Sequence, residues 1–203
     1  MNKKVNLYGA GGHAKGVWDV ITANGIDVCE IADDSQLVNT FLQFPVKRHF
    51  DTNLPVIIAV GNNYTRKIIA ESNGYTSVSV IHPSAVISPF ATLQEGTVVM
   101  PLVSVKSCSN IGKHCILNAL CAIGHDCEIG SFVHIAPHAT LCGNVTVGEG
   151  SWIGANATVI QGIKIGRWVT IGAGAVIIKD VPDYAVVVGN PGRIIKYKNE
   201  KDN

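Results

Sequence analysis

The chain has 203 residues, a net charge of +1 at pH 7 and only 15% charged residues, so it offers no basic field for nucleic acid and no acidic one for cations. Its apolar content of 47% is high, yet the opening MNKKVNLYGAGG holds no signal-like apolar core and no run reaches membrane-spanning length. A soluble, cytoplasmic protein with no membrane insertion and no nucleic-acid partner is expected, with room for two domains.

Residues 1–80 read as a small α/β, Rossmann-like βαβ domain. A strand at Lys4–Tyr8 runs into the glycine turn Gly9-Ala10-Gly11-Gly12-His13-Ala14 and then an amphipathic helical run through Trp18, Val20 and Ile21. A second strand at about Val28–Ala32 ends in Asp33-Asp34, and a third at Pro55–Val60 ends in Gly61-Asn62-Asn63. The turn is of the G-x-G-x-x-A type, whose backbone amides and helix N-terminus can hold a diphosphate while an acidic residue about twenty positions on reaches a ribose or base edge. A tight turn without a ligand is the competing reading. A dinucleotide fold needs two such halves, so a mononucleotide or nucleotide-sugar fits better than NAD.

Residues 81–203 are organised by a repeat. Every sixth residue from Ile81 to Ile177 is Ile, Leu or Val, seventeen in succession, and four places after each stands a second, mostly small column that includes Ala91, Cys115, Cys121, Cys127, Ala139 and Ala157. Helices need a 3.6-residue period and half-buried strands a period of two, so a strict six fits neither. It fits short strands that each send one large and one small side chain inward and then turn a corner, where Gly112, Gly124, Gly130, Pro101 and Pro137 stand. This pattern resembles the left-handed parallel β-helix acyltransferases, in which three hexapeptides make a coil and residues eighteen apart stack. Sixteen hexads then give roughly five coils, a prism about 25 Å tall. Its flat faces and open end predict a homotrimer. Cys115, Cys121 and Cys127 read as core residues, the other three cysteines show no C-x-x-C spacing, and no metal is expected.

YGAGGH, a strand ending in DD and a strand ending in GNN, joined directly to this repeat, resemble a family of hexapeptide-repeat sugar acetyltransferases. It includes the bacillosamine-pathway N-acetyltransferase and the sialic acid O-acetyltransferases, and the resemblance covers nearly the whole chain. It implies a nucleotide-sugar site at Gly11, Gly12, His13, Asp33, Asp34, Gly61 and Asn62, with Asn118 also on the substrate side. His125 stands at the second corner position after Ile123, where side chains leave the core, and a histidine there is suited to accept a proton. The resemblance makes it the general base, with Asp126 beside it where some relatives carry Glu.

His134, one residue before the inward Ile135, lies on an outward flat face, and the resemblance places it near the acetyl-CoA thioester. Gly143, Ala155 and Ala173, each at a second corner position, are implied along the pantetheine groove, with plain corner sterics as the other reading. Arg193, in the terminal GNPGR, is either a CoA phosphate ligand or a solvated turn residue. His138 lies in a corner and His114 is expected at the surface.

The function implied is acetyl-CoA-dependent N-acetylation of the 4-amino group of a nucleotide-linked 4-amino-4,6-dideoxysugar, in bacterial surface-glycan biosynthesis. Sialic acid O-acetylation is the alternative within the family. From other classes come a trimeric β-helix carbonic anhydrase using His114, His125, His134 or His138, and a non-catalytic nucleotide-sugar-binding scaffold. The sequence does not distinguish UDP, dTDP and GDP.

Overall fold

A computed structural model describes residues 3–198; the two residues before them and the end of the C-terminal tail, 199–203, lie outside the described residues. The chain opens with β1 (Lys4–Tyr8), α1 (Gly12–Ala23) and β2 (Asp27–Ala32), followed by a hairpin of β3 (Thr40–Phe41) and β4 (Phe44–Pro45), then β5 (Val56–Ile58) and α2 (Asn63–Ser72). β1, β2 and β5 form a parallel sheet in the order β2-β1-β5. Ala14, Val17, Val20 and Ile21 give α1 its buried stripe. Three features were not read from the sequence: the hairpin, whose turn residues Leu42 and Gln43 have positive φ, helix α2, and the extra residue of β2 at Asp27.

From Val80 the chain winds into a left-handed parallel β-helix. Its strands, β6 (Val80–Ile81) to β22 (Val176–Ile177), are two residues long and recur every six. Register follows the eighteen-residue stack: Ile116 pairs with both Val98 and His134, and Leu117 with both Val99 and Ile135. The first face carries β6 and then Val98–Val99, Ile116–Leu117, His134–Ile135, Trp152–Ile153 and Thr170–Ile171. The second runs from Val86–Ile87 to Val176–Ile177 and the third from Thr92–Leu93 to Lys164–Ile165.

The prism has nearly six turns, not the roughly five expected. After Ile177 the chain goes on coiling: Val181 bridges to Ile165, and β23 (Ala185–Val188) stacks under Thr170–Ile171. An antiparallel strand, β24 (Arg193–Tyr197), covers the edge of β23.

Both inward columns are buried from Thr97 and Val99 onward, while in the first coil Ile81 is 38% exposed and Ala85, Ile87, Ala91 and Leu93 are partly buried. Where the small column is polar, the hydroxyl is used twice: Ser109 donates to the Gly124 carbonyl at 2.6 Å and accepts from the Cys127 N–H at 3.0 Å, and Thr97 and Ser151 bond in the same way to the carbonyl fifteen and the N–H eighteen residues on. That pairing removes the penalty of burying a lone hydroxyl. The third corner position is left-handed at Leu102, Cys108, His114, Leu120, Asp126, Phe132, His138, Asn144, Asn156 and Trp168, with glycine at 96, 150, 162 and 174. This regular excursion closes the corners from Gly96 to Gly174.

Candidate active site

The residues expected to hold a nucleotide gather at the C-terminal edge of the small parallel sheet, the usual ligand-binding edge of such sheets. Gly9 has φ +107°, and a Cβ there would lie 2.9 Å from the Ala59 carbonyl oxygen, so only glycine makes this turn. Gly11 caps α1 in extended geometry, and neither it nor Gly12 has anything within 4 Å of where a Cβ would stand. The amide end of α1 is therefore open, with no acidic residue in its first turn.

Asp33 is committed to holding that turn: one carboxylate oxygen accepts from the Ala10 N–H at 2.8 Å and the other from the Ser35 N–H at 2.8 Å. Asp34 accepts from the Tyr8 hydroxyl at 2.5 Å, and burial followed by this carboxylate pushes the Tyr8 phenol well above its usual range. Asn62 uses its side-chain oxygen to cap α2 through the Thr65 N–H at 2.8 Å.

The same edge faces the first face of the β-helix. The His13 and His134 rings are 6.1 Å apart, Trp152 lies beyond His134 at 6.5 Å, and Gly61 packs against His13. His134 donates to the Gly61 carbonyl and accepts from the Asn118 amide at 3.2 Å, while Asn118 is oriented by accepting from the Ala119 N–H at 2.8 Å. The part of this face around His134 and Asn118 is thus covered by the chain's own N-terminal region, while Trp152 on the same face stays 39% exposed. Burial, then the Arg66 cation, lowers His13 to about 4 and His134 to about 3.

Helix α2 makes the junction. Arg66 and Lys67 dock on the corner between the third and first faces, where His114 stacks on Phe132 with parallel rings 5.3 Å apart. Lys67 pairs with Glu149 and lies 5.8 Å from the Phe132 and Trp168 rings, and Tyr64 meets Trp168 edge-on. The expectation that His114 lies at the surface is corrected: it is 6% exposed, because α2 covers this corner. Between α2 and the β-helix runs a cleft of about 210 Å³ lined by Gly61, Asn62, Tyr64, Trp152, Trp168 and Thr170.

His125 is elsewhere. It stands at the corner between the second and third faces, the vertex opposite the first face. Its Nδ1 donates to the Asp126 carboxylate at 2.6 Å, leaving Nε2 as an acceptor. The contact is possible between neighbours because Asp126 has φ +58°. Both side chains are more than half exposed.

Gly143 lies one turn below, and a Cβ on it would meet His125 Cε1 at 2.5 Å. Ala155 and Ala173 stack on a different corner, between the first and second faces, so the three residues assigned to one pantetheine groove do not form one column in a single chain. The step from 143 to 155 is twelve residues, and only steps of eighteen stack. Arg193 is exposed on β24 and donates to the Gly192 carbonyl at 2.9 Å.

Residues 4–73 match the PglD N-terminal domain, and residues 108–143 and 144–179 match the bacterial transferase hexapeptide (six repeats). PerB from Caulobacter crescentus, solved in complex with CoA and GDP-perosamine, is 34% identical with a TM-score of 0.89, over 97% of this chain and 98% of that one. The chain belongs to the hexapeptide-repeat sugar acetyltransferase family.

A second solved member, the acetyltransferase domain of PglB from Neisseria gonorrhoeae, is 37% identical with a TM-score of 0.88, over 96% of this chain and 100% of that one. Among curated relatives, GDP-perosamine N-acetyltransferase of Escherichia coli O157:H7 is 30% identical over 67% of this chain. UDP-N-acetylbacillosamine N-acetyltransferase of Bacillus subtilis is 36% identical over 48% of it. The match spans 59% and 51% of the length of these two relatives.

In this acetyltransferase fold the structure brings together Gly11, Gly12, His13, Asp33, Asp34, Gly61, Asn118 and His134, and leaves His125 with Asp126 and Gly143 at the far vertex. Sequence reasoning missed Arg66, Tyr64, Lys67 and Trp168. The one available signal was Asn62 as a helix cap ahead of the polar run Asn63–Ser72.

Proposed function

We propose that this chain transfers the acetyl group of acetyl-CoA to the 4-amino group of a nucleotide-linked 4-amino-4,6-dideoxysugar, with His125 as general base, in bacterial surface-glycan biosynthesis. The observation that carries this reading is the likeness, over almost the whole chain, to an enzyme whose structure holds CoA and GDP-perosamine. On this reading residues 1–80 bind the sugar nucleotide and residues 81–203 carry acetyl transfer.

The neutral sugar amine attacks the thioester carbonyl, forming the C–N bond. His125 Nε2 takes the amine proton, the C–S bond breaks, and the proton passes to the thiolate, leaving amide and CoA thiol. Asp126 fixes the ring tautomer that leaves Nε2 free. Open amides at the start of α1 are suited to the diphosphate.

The split between the nucleotide edge and His125 supports a homotrimer with a composite site. One protomer's nucleotide edge faces away from its own His125, so a neighbour's vertex must supply the base. Ala155, Ala173 and Gly143, which lie on two corners of one chain, then line the same groove from two protomers.

The test is a panel of UDP-, dTDP- and GDP-linked amino and hydroxyl sugars, with sialic acid added as a further acceptor, incubated with acetyl-CoA and read by thiol release. Turnover with a 4-amino sugar supports the reading, turnover with a sialic acid alone would replace it, and none with any acceptor would sink it. For the trimer, a fully active monomer at micromolar concentration would overturn the composite site.

A further inference from the structure

Arg66 is 1% exposed, and all five of its N–H groups end on neutral oxygens. Nε donates to the His114 carbonyl at 2.8 Å. One terminal nitrogen donates to the carbonyls of Val60 at 2.9 Å and Gly61 at 3.3 Å, the other to the Phe132 carbonyl at 2.9 Å and Asn63 Oδ1 at 2.8 Å. No carboxylate is among these partners. A buried cation without a counter-charge is a costly way to pack a helix against a β-helix, and an apolar side chain would do that task with less penalty. What the guanidinium adds is a planar fork that joins three segments at once: the turn carrying Gly61 and Asn62, and the stacked corners at His114 and Phe132.

We propose that Arg66 is a positioning residue that fixes the Gly61–Asn62 turn of the sugar-nucleotide site against the β-helix face carrying His134. The proposal rests on the reading of that turn as part of the sugar-nucleotide site.

The charge acts at the same place. Facing the His13–His134 pair are Arg66 from α2, Asn118 and Trp152 from the turns before and after His134, and the Gly61 carbonyl; no carboxylate of the described residues acts on either ring. His134 must accept from the Asn118 amide while donating to Gly61, which only a neutral ring can do. The Arg66 cation disfavours the doubly protonated ring that would break this arrangement.

Two variants separate fork from charge. Arg66→Lys keeps the charge and loses the fork, and Arg66→Met loses both. In Arg66→Lys the Michaelis constant for the sugar nucleotide rises roughly ten- to hundred-fold, that for acetyl-CoA stays within about two-fold of wild type, and the histidine titration midpoints read by NMR move less than in Arg66→Met, because the charge is kept. In Arg66→Met the His134 midpoint rises by about one pH unit.

A merely structural role lowers the folded fraction and alters neither constant selectively. Equal changes in both constants, or an unchanged sugar-nucleotide constant in Arg66→Lys, overturn the proposal. Should the wild type acetylate no sugar nucleotide, the functional reading fails separately. The backbone amide resonances of Gly61 and Asn62 in ligand-free Arg66→Lys then decide: displaced if the fork holds the turn, unmoved if it does not.

Discussion

The His125 ring occupies the space where a side chain on Gly143 would stand, with a Cβ there only 2.5 Å from His125 Cε1. Gly143→Ala therefore pushes the ring off its place and breaks its bond to Asp126. The expected outcome is a fall in kcat of about ten-fold or more with little change in the Michaelis constant for acetyl-CoA. The reverse pattern, a raised acetyl-CoA constant with kcat unchanged, would mean that Gly143 acts through the pantetheine groove alone and not through the His125 ring.

Asp33 and Asp34 separate by what they hold. Asp33→Ala leaves the Ala10 and Ser35 amides without their carboxylate and costs about 1–3 kcal/mol of stability. Asp34→Ala releases only the Tyr8 hydroxyl and costs less. Both raise the Michaelis constant for the sugar nucleotide and leave that for acetyl-CoA unchanged. Denaturant midpoints and steady-state kinetics on the two variants check the ranking; an equal loss for both substrates would mean that the fold has been disturbed.

How far the sequence revealed the molecule depends on whether a feature repeats. The inward columns were legible because a period of six is strict, and their small members, Cys115, Cys121 and Cys127, were placed correctly for the same reason. Helix α2 was not, because Arg66, Lys67 and Tyr64 are anchored by carbonyls and rings 48 to 104 residues away in sequence. His114 was misplaced because corner positions normally point to water, and only the docking of α2 encloses this one. The His125–Asp126 pair was legible as a local corner motif. The close approach of Gly143 to the His125 ring was not, because it depends on a residue one turn away in the stack.

Those cysteines give a chemical check on the core. Burial pushes the Cys115 and Cys121 thiols up to about 12, and the Cys127 thiol is raised by the same cause. None of the three reacts with a thiol reagent in the native protein at pH 8, and all react on unfolding. Peptide mapping after labelling reads this directly, and native labelling at any of them would show that the column is open.

Stability responds to pH through His13 and His134. In the unfolded chain both rings take up protons near the ordinary value of 6.5, whereas in the fold they resist until about 4 and about 3. Between these values the unfolded state binds more protons, so the contribution is complete above pH 6.5 and is lost as pH falls through that window. The melting temperature therefore drops between pH 6.5 and pH 5, and the drop is smaller in His134→Gln. An identical slope in wild type and variant would contradict the buried, neutral state of His134.

The most direct test of the account is the turnover of His125→Ala with both substrates saturating. A general base contributes about 100- to 10,000-fold, so kcat falls within that range while the Michaelis constants for sugar nucleotide and acetyl-CoA change little. Near-wild-type turnover across the pH range would contradict it, and would assign the amine proton to solvent or to another group.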